Sequence, residues 1–213
     1  MKLKNFFMVK EGIPFVLATL IIAVFFALLY FWVGGVTPLI GFGVFIFLTV
    51  FMAYFFRDPQ RNIPGEAGII VSAADGRVTR VEERENGKFV SVFLSPFDVH
   101  VNRSPIAGRI TKIEYVKGKK NPATSNEASL VNERNSLTIE GEKMTVVCTQ
   151  IAGIVARRIV CWSKTGDNLE LGEKFGLIKF SSRTDLLMPN EVEVLVKVGD
   201  RVVGGETVVA RLN

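Results

Sequence analysis

The sequence predicts a mainly β protein: an N-terminal two-helix transmembrane hairpin followed by a barrel-sandwich domain of lipoyl-like type. Three observations predict it. Gly12 to Phe56 contains no Asp, Glu, Lys or Arg, so all 26 basic and 21 acidic residues of the 213 lie elsewhere. From Ile69 onward, short runs rich in β-branched and aromatic residues alternate with turn residues, and no long stretch has helical periodicity. Finally, Gly76-Arg-Val-Thr-Arg-Val-Glu82 returns as Gly108-Arg-Ile-Thr-Lys-Ile-Glu114, an internal echo that reads as a quasi-duplication. This pattern excludes a disordered chain, a collagen, a coiled coil, a disulfide-stapled miniature and a purely soluble protein.

The first unit, residues 1–60, is read as the hairpin. Ile13–Val33 and Val36–Phe56 each hold 21 residues. At ~1.5 Å rise per residue, each helix spans about 31 Å, the thickness of a hydrocarbon core. Gly34-Gly35 ahead of Val36-Thr37-Pro38 supplies the turn, and Tyr30, Trp32 and Tyr54 fall near the interfaces, where amphipathic rings prefer to lie. A cleavable signal peptide is disfavoured by the length of the first run and the immediate second one. Lys2, Lys4 and Lys10 precede the hairpin, Arg57 and Arg61 follow it, and the turn is uncharged. The positive-inside bias therefore puts both termini and everything after the hairpin on the cytoplasmic side of the cell membrane. There Cys148 and Cys161 are expected as reduced thiols, and neither has metal-ligand spacing, so no metal is expected. The net charge of +5 suits a domain lying against anionic lipid and is too diffuse to indicate nucleic acid.

The second unit, residues 61–213, is read as strands over Arg77–Glu82, Lys88–Leu94, Arg109–Tyr115, Ser136–Glu140, Met144–Ile151, Val155–Trp162, Leu177–Phe180, Val192–Val198 and Glu206–Leu212. Turns are expected at Asp75-Gly76, Asn86-Gly87, Gly141, Gly166-Asp167 and Gly199-Asp200, residue types that tolerate left-handed backbone. Asn121–Val131 reads as a short helix or a loop. A lipoyl or biotin carrier would need a modifiable lysine at a hairpin tip, and no convincing one is present.

Three places offer chemistry. His100 is the sole histidine, so any imidazole acid–base step must use it, although a lone loop histidine is more often just solvated. Its segment, Leu94-Ser-Pro-Phe-Asp-Val-His-Val-Asn-Arg-Ser-Pro105, has a proline near each end and reads as a rigid loop. Asp75 in Ser72-Ala-Ala-Asp-Gly-Arg77 is either an ordinary hairpin turn or a carboxylate that orients the histidine. The Ser-Ser-Arg step in Phe175-Gly-Leu-Ile-Lys-Phe-Ser-Ser-Arg183 is either a polar bulge or the place of a nucleophilic hydroxyl.

Taken in order, Phe56-Arg-Asp-Pro59, Ser72-Ala-Ala-Asp-Gly-Arg77, Leu94-Ser-Pro-Phe-Asp-Val-His-Val-Asn-Arg103, Asn132-Glu-Arg134, Gln150-Ile-Ala-Gly153, Ala156-Arg-Arg-Ile159 and Phe175-Gly-Leu-Ile-Lys-Phe180 with its following Ser-Arg strongly resemble the short, membrane-anchored phosphatidylserine decarboxylases. The resemblance runs from the hairpin to the C-terminus. It implies a self-processing lyase whose cofactor is a covalent pyruvoyl group made from its own serine, with no pyridoxal phosphate. The matching serine is Ser182. Its hydroxyl would attack the carbonyl of Ser181, and β-elimination would leave a β chain, Met1–Ser181, and a pyruvoyl-headed α chain, Ser182–Asn213. The pyruvoyl ketone would form a Schiff base with the serine head group of phosphatidylserine, giving phosphatidylethanolamine and carbon dioxide. His100 would serve as base and later proton donor, with Asp75 as its orienter. Longer relatives carry a second histidine where this chain has Arg103. The family's glycine before the scissile serine is here Ser181, itself a less favoured nucleophile. The resemblance implies lipid-phosphate contacts from basic residues, with Arg103, Arg157, Arg158 and Arg183 as candidates, and Phe97 and Val99 beside His100 facing the bilayer. The partners implied are the membrane phospholipid, the bilayer and the two chains of one precursor; a homodimer is left open. Archaetidylserine has the same head group and is the alternative substrate. A membrane Ser/Lys protease and a non-enzymatic lipoyl-like adaptor are the more distant readings.

Overall fold

The computed structural model describes residues 8–119, 121–122, 131–153, 158–180 and 182–212. The chain forms two compact units, Met1–Gln60 and Arg61–Asn213. In the first, helix α1 (Ile13–Val33) and helix α2 (Val36–Phe55) are joined by Gly34 and Gly35, whose φ values of 67° and 84° only glycine adopts without strain. The helices meet through small and paired groups. A Cβ on Gly41 would come within 2.4 Å of the Phe26 ring, Phe26 stacks on Phe45 at 5.7 Å, and Thr49 Oγ1 donates to Thr19 Oγ1 at 3.0 Å. Such close approach and hydroxyl pairing hold helices together where an apolar solvent offers no hydrophobic drive. The Val9 amide closes the open end on the Phe56 carbonyl at 3.0 Å. Outward faces carry Phe25, Phe31, Trp32 and Phe47, and both helices are long and apolar enough to cross a membrane.

The second unit is built from strands β1 (Ile69–Val71), β2 (Gly76–Arg84), β3 (Gly87–Leu94), β4 (Val101–Arg103), β5 (Gly108–Val116), β6 (Arg134–Glu140), β7 (Thr145–Ala152), β8 (Arg158–Cys161), β9 (Asn168–Leu169), β10 (Lys174–Lys179), β11 (Ser182–Met188), β12 (Val192–Val194), β13 (Arg201–Val202) and β14 (Val208–Leu212). They form an eight-stranded sheet in the order β13-β2-β3-β11-β7-β6-β5-β9 and two three-stranded sheets, β1-β14-β12 and β4-β10-β8. The protein is thus mainly β with an N-terminal apolar helical hairpin, as the sequence predicts. Its core holds Ile70, Val90, Ile110, Leu137, Ile139, Val146, Cys148, Phe175 and Leu186.

The internal echo is a structural repeat. In both copies the register slips at the same step, between Val78 and Arg80 and between Ile110 and Lys112. The intervening threonine, Thr79 or Thr111, donates to a carbonyl on the partner strand. Each copy docks on an equivalent turn: the Val78 amide donates to Asp200 O while its carbonyl receives the Gly199 amide, and Ile110 does the same with Asp167 O and the Gly166 amide. The turn before each copy is closed alike, Ser72 Oγ on Ala74 O at 2.7 Å and Ser104 Oγ on Ile106 O at 2.6 Å.

Several segments depart from expectation: β1, β9 and β13 fall outside the expected strands, and the expected strand Val192–Val198 ends at Val194. The run expected to end as a strand at Phe180 instead stops at Lys179 and restarts as β11, which lies inside the large sheet between β3 and β7. Ser182, Arg183, Thr184 and Asp185 are all buried, so neither face of the strand is solvated and no polar–apolar alternation marks it. The segment read as one rigid loop after Leu94 contains β4, which pairs with β10. The region read as helix or loop, 121–131, lies largely outside the described residues.

Candidate active site

His100 and Ser182 stand at the ends of segments by which the chain passes between the eight-stranded sheet and the β4-β10-β8 sheet. β3 leaves the large sheet at Leu94, opposite Ser182, and the chain enters the small sheet at His100, whose carbonyl accepts the Ile178 amide at 3.3 Å. β7 leaves at Ala152, also opposite Ser182, and β8 begins at Arg158, opposite Lys179. β10 ends at Lys179 and β11 begins at Ser182. Three crossings therefore lie side by side at one end of both sheets.

The face-to-face registry of the two sheets follows from one row of contacts. Asn102, Gly176 and Cys161 lie side by side in the small sheet; Thr184, Gln150 and Asn135 lie side by side in the large one. Asn102 Nδ2 donates to Thr184 Oγ1 at 3.1 Å, and a Cβ on Gly176 would stand 3.0 Å from Gln150 Nε2. Successive same-face residues in a strand are two apart. One such step toward the crossings carries Asn102 to His100, Gly176 to Ile178, Thr184 to Ser182 and Gln150 to Ala152. Ile178 does pack on Ala152, together with Ile159, which verifies the step. The same step brings His100, just ahead of β4, and Ser182 to the same end of the two sheets; Ser182 Oγ makes no hydrogen bond to His100 or to any other described residue.

His100 is buried, and its Nδ1 lies 2.9 Å from the Asp98 carbonyl. A carbonyl only accepts, so Nδ1 carries the proton and Nε2 is the basic nitrogen of the neutral ring. Asp98 is itself fixed. Its Oδ2 receives the Ser95 amide at 2.8 Å and the Ser95 hydroxyl at 2.6 Å, and its Oδ1 receives Arg201 at 2.6 Å. Sequence reasoning missed Asp98. An Asx-type signal was present in Ser95-Pro-Phe-Asp98, but the distant partner Arg201 leaves no trace in the local sequence.

Ser182 Oγ is fully buried and makes no hydrogen bond among the described residues. Buried hydroxyls are ordinarily satisfied, so an orphan one is an exception that calls for an explanation. Two residues earlier, Phe180 has φ 65°, the one non-glycine in the left-handed region among the described residues. Such a residue costs of order 1–3 kcal/mol, and here the strain lies next to the link between the sheets. Ser181 lies outside the described residues.

Asp75 accepts Arg61 Nη2 on both oxygens, at 2.8 and 2.9 Å, and the Gly204 amide at 2.8 Å. The imidazole Nδ1 bond goes to Asp98 O, and none of these three Asp75 bonds goes to the ring. The duplicate turn carries Ala107 at the position of Asp75, so the turn itself does not need a carboxylate. Burial pushes the Asp75 carboxyl up from its ordinary 3.8, with Arg61 and the Gly204 amide pulling it back.

The basic candidates are dispersed. Arg183 is on the opposite face of β11 from Ser182, buried, with Nε and Nη2 each 3.0 Å from Asp185. Arg103 is buried and donates to the Gly172 carbonyl at 3.0 Å. Arg158 is exposed at the start of β8, and Arg157 lies outside the described residues. Phe97 is exposed, as a bilayer-facing side chain needs to be. Val99 is buried instead, because the chain has by then turned inward to begin the small sheet. Burial raises the pKa of both Cys148 and Cys161, which keeps them as thiols. Among the described residues no His, Cys, Asp and Glu group is arranged to hold a metal.

The Asp75 carboxyl is expected to respond to its partner. Its folded pKa lies above 3.8, so the folded chain keeps this proton longer than the unfolded chain. Its contribution to stability therefore falls as pH rises through that window. Arg61→Gln removes the cation that lowers the pKa, and the Asp75 titration followed by carbon NMR should move to higher pH. An unmoved titration would show that the ion pair does not form in solution.

The comparisons with known proteins agree with one another. The phosphatidylserine decarboxylase family model matches residues 48–210. A phosphatidylserine decarboxylase proenzyme of Symbiobacterium thermophilum is 47% identical over 95% of this chain and 94% of its own length. Proenzymes of the same name from Ruegeria pomeroyi and Syntrophus aciditrophicus are 52% and 41% identical, over 78% and 94% of this chain and 80% and 95% of their own lengths. Motif order, fold and near full-length similarity converge: this chain belongs to the phosphatidylserine decarboxylase family.

Proposed function

We propose that this chain is a proenzyme that cuts itself before Ser182 and then converts phosphatidylserine to phosphatidylethanolamine and carbon dioxide. Family membership supports the reaction. The observation that supports the cleavage site is the Ser182 hydroxyl, buried and without a hydrogen bond among the described residues, at the same end of the sheets as His100.

His100 Nε2 takes the Ser182 hydroxyl proton as Oγ attacks the carbonyl carbon of Ser181. The carbon–nitrogen bond breaks, the proton passes to the Ser182 nitrogen, and residue 181 is then esterified to Oγ. Removal of the Cα proton of residue 182 breaks the Cβ–Oγ bond and releases the Ser181 carboxylate as the end of the β chain. The dehydroalanine left behind tautomerises, and water replaces its nitrogen as ammonia, leaving a pyruvoyl group at the head of the α chain. The residues fit that group: it reuses atoms of residue 182, and Ala152 beside it is small. The ketone supplies an electron sink that no natural side chain offers. His100 then delivers the proton that replaces the lost carboxylate. Asp75 enters this reading as a partly buried carboxylate tied to Arg61.

The hairpin keeps the catalytic unit with a substrate that never leaves the membrane. The charge flanks support a two-pass anchor with both termini and the catalytic unit in the cytoplasm.

Intact mass spectrometry should resolve wild-type protein into Met1–Ser181 and a fragment beginning at residue 182 with a blocked keto terminus, while Ser182→Ala stays at 23.6 kDa. A Ser182→Ala chain that still splits would reject the assignment. Asp98→Ala frees the loop that aims the imidazole, and a displacement of about 1 Å would slow cleavage by about 10²-fold; time-resolved gels of newly made precursor measure it. Fused to the C-terminus, a fluorescent reporter that folds only in the cytoplasm should light, and alkaline phosphatase should stay inactive. The reverse pattern overturns the orientation.

A further inference from the structure

Beneath the His100–Ser182 row runs a chain of buried amides that the reaction above does not use. Asn135 Nδ2 donates to Gln150 Oε1 at 3.0 Å, Gln150 Nε2 donates to Asn102 Oδ1 at 2.8 Å, and Asn102 Nδ2 donates to Thr184 Oγ1 at 3.1 Å. Asn135, Gln150, Asn102 and Thr184 are each at least 97% buried. Gln150 and Asn102 both donate with the nitrogen and accept with the oxygen, so each bond fixes the orientation of the next. The chain begins in β6, crosses β7, leaves the large sheet for β4 and returns to β11.

An apolar row would have filled this space with no amide or hydroxyl atoms to satisfy. Apolar packing is tolerant of small slides between sheets, because it is non-directional. Hydrogen bonds are not: they weaken steeply with misalignment. This row is one same-face step, about 6.5 Å, from the row that holds His100 and Ser182. Asn102 lies in β4 two residues after His100, which stands just ahead of that strand, and Thr184 shares a strand face with Ser182. Sliding one sheet over the other by about an ångström would strain the Asn102–Thr184 bond and part the base from the hydroxyl by the same amount.

We propose that Asn102, Gln150 and Thr184 are positioning residues whose hydrogen-bonded chain, anchored by Asn135, sets the His100–Ser182 separation for self-cleavage. This rests on the reading of Ser182 as the nucleophile. None of the three touches the reacting atoms. They act by holding β4 at one place over β11. Gly176 belongs to the device, since any side chain there would crowd the Gln150 amide and collide with the Val160 carbonyl.

The test uses the full-length chain in detergent, with cleavage of newly made precursor followed by intact mass. Thr184→Val keeps the shape and removes the acceptor; Thr184→Ser keeps the hydroxyl. Thermal melting of each variant is measured in a Ser182→Ala background, where the precursor stays whole. Thr184→Val is expected to slow cleavage about 10²-fold while still melting cooperatively, and Thr184→Ser to restore most of the lost rate. Wild-type cleavage by Thr184→Val, or equal slowing by Val and Ser, overturns the inference. Should Thr184→Val fail to fold, Gln150→Met decides, because it removes two links of the chain from the neighbouring strand: slowed cleavage supports the inference and an unchanged rate overturns it. Splitting of the Ser182→Ala control is a separate result, which would remove the nucleophile and the inference with it.

Discussion

The registry between the eight-stranded sheet and the β4-β10-β8 sheet is the constraint on which the site depends. His100 leads into one sheet and Ser182 belongs to the other, and no covalent link shorter than the crossings joins them. What sets one sheet against the other is the alignment in which Asn102 faces Thr184 and Gly176 faces Gln150. A glycine at 176 lets the sheets approach closely enough for amides to bond across the gap. Polar groups sealed from water are costly unless paired, and a fully paired set is correspondingly specific. The core of this protein therefore contains a directional element where apolar packing alone would leave freedom.

Duplication explains how such a site is built from ordinary parts. Two copies of a bulged strand, each preceded by a serine-closed turn and docked on a Gly-Asp turn, make up the flanks of the large sheet. Their common features serve folding. Their turns differ: one carries Asp75, bound to Arg61 and the Gly204 amide, where the other carries Ala107. Comparison within a single chain thus separates what the turn requires from what has been added to it.

Much of the architecture was legible in the residues. A charge-free run of hairpin length, glycines at the turns, and the repeated Gly-Arg-Val-Thr motif depend on local backbone geometry and on partition between lipid and water, both of which act on neighbouring residues. The inner strand β11 was not legible, because Ser182-Arg-Thr-Asp185 looks like a solvated loop until its neighbours bury it. β4 was hidden for the same reason, being short, polar and flanked by prolines. Of the site, His100 stood out by being alone and Ser182 by family resemblance. Asp98 and the amide chain did not stand out, since their partners lie far away in sequence: Arg201 for the one, Thr184 for the other.

By itself the sequence determined the apolar hairpin, the β character, the internal repeat and the family, since these follow from hydropathy, turn propensity and motifs that are local in the chain. Tertiary structure alone decided that a run of polar residues forms the interior of a sheet. It alone decided that the imidazole Nδ1 meets the Asp98 carbonyl and that the Asp75 carboxylate meets Arg61. The reason is common to both: the environment of a buried polar group is set by strands distant in sequence, and no local pattern encodes which strand that will be.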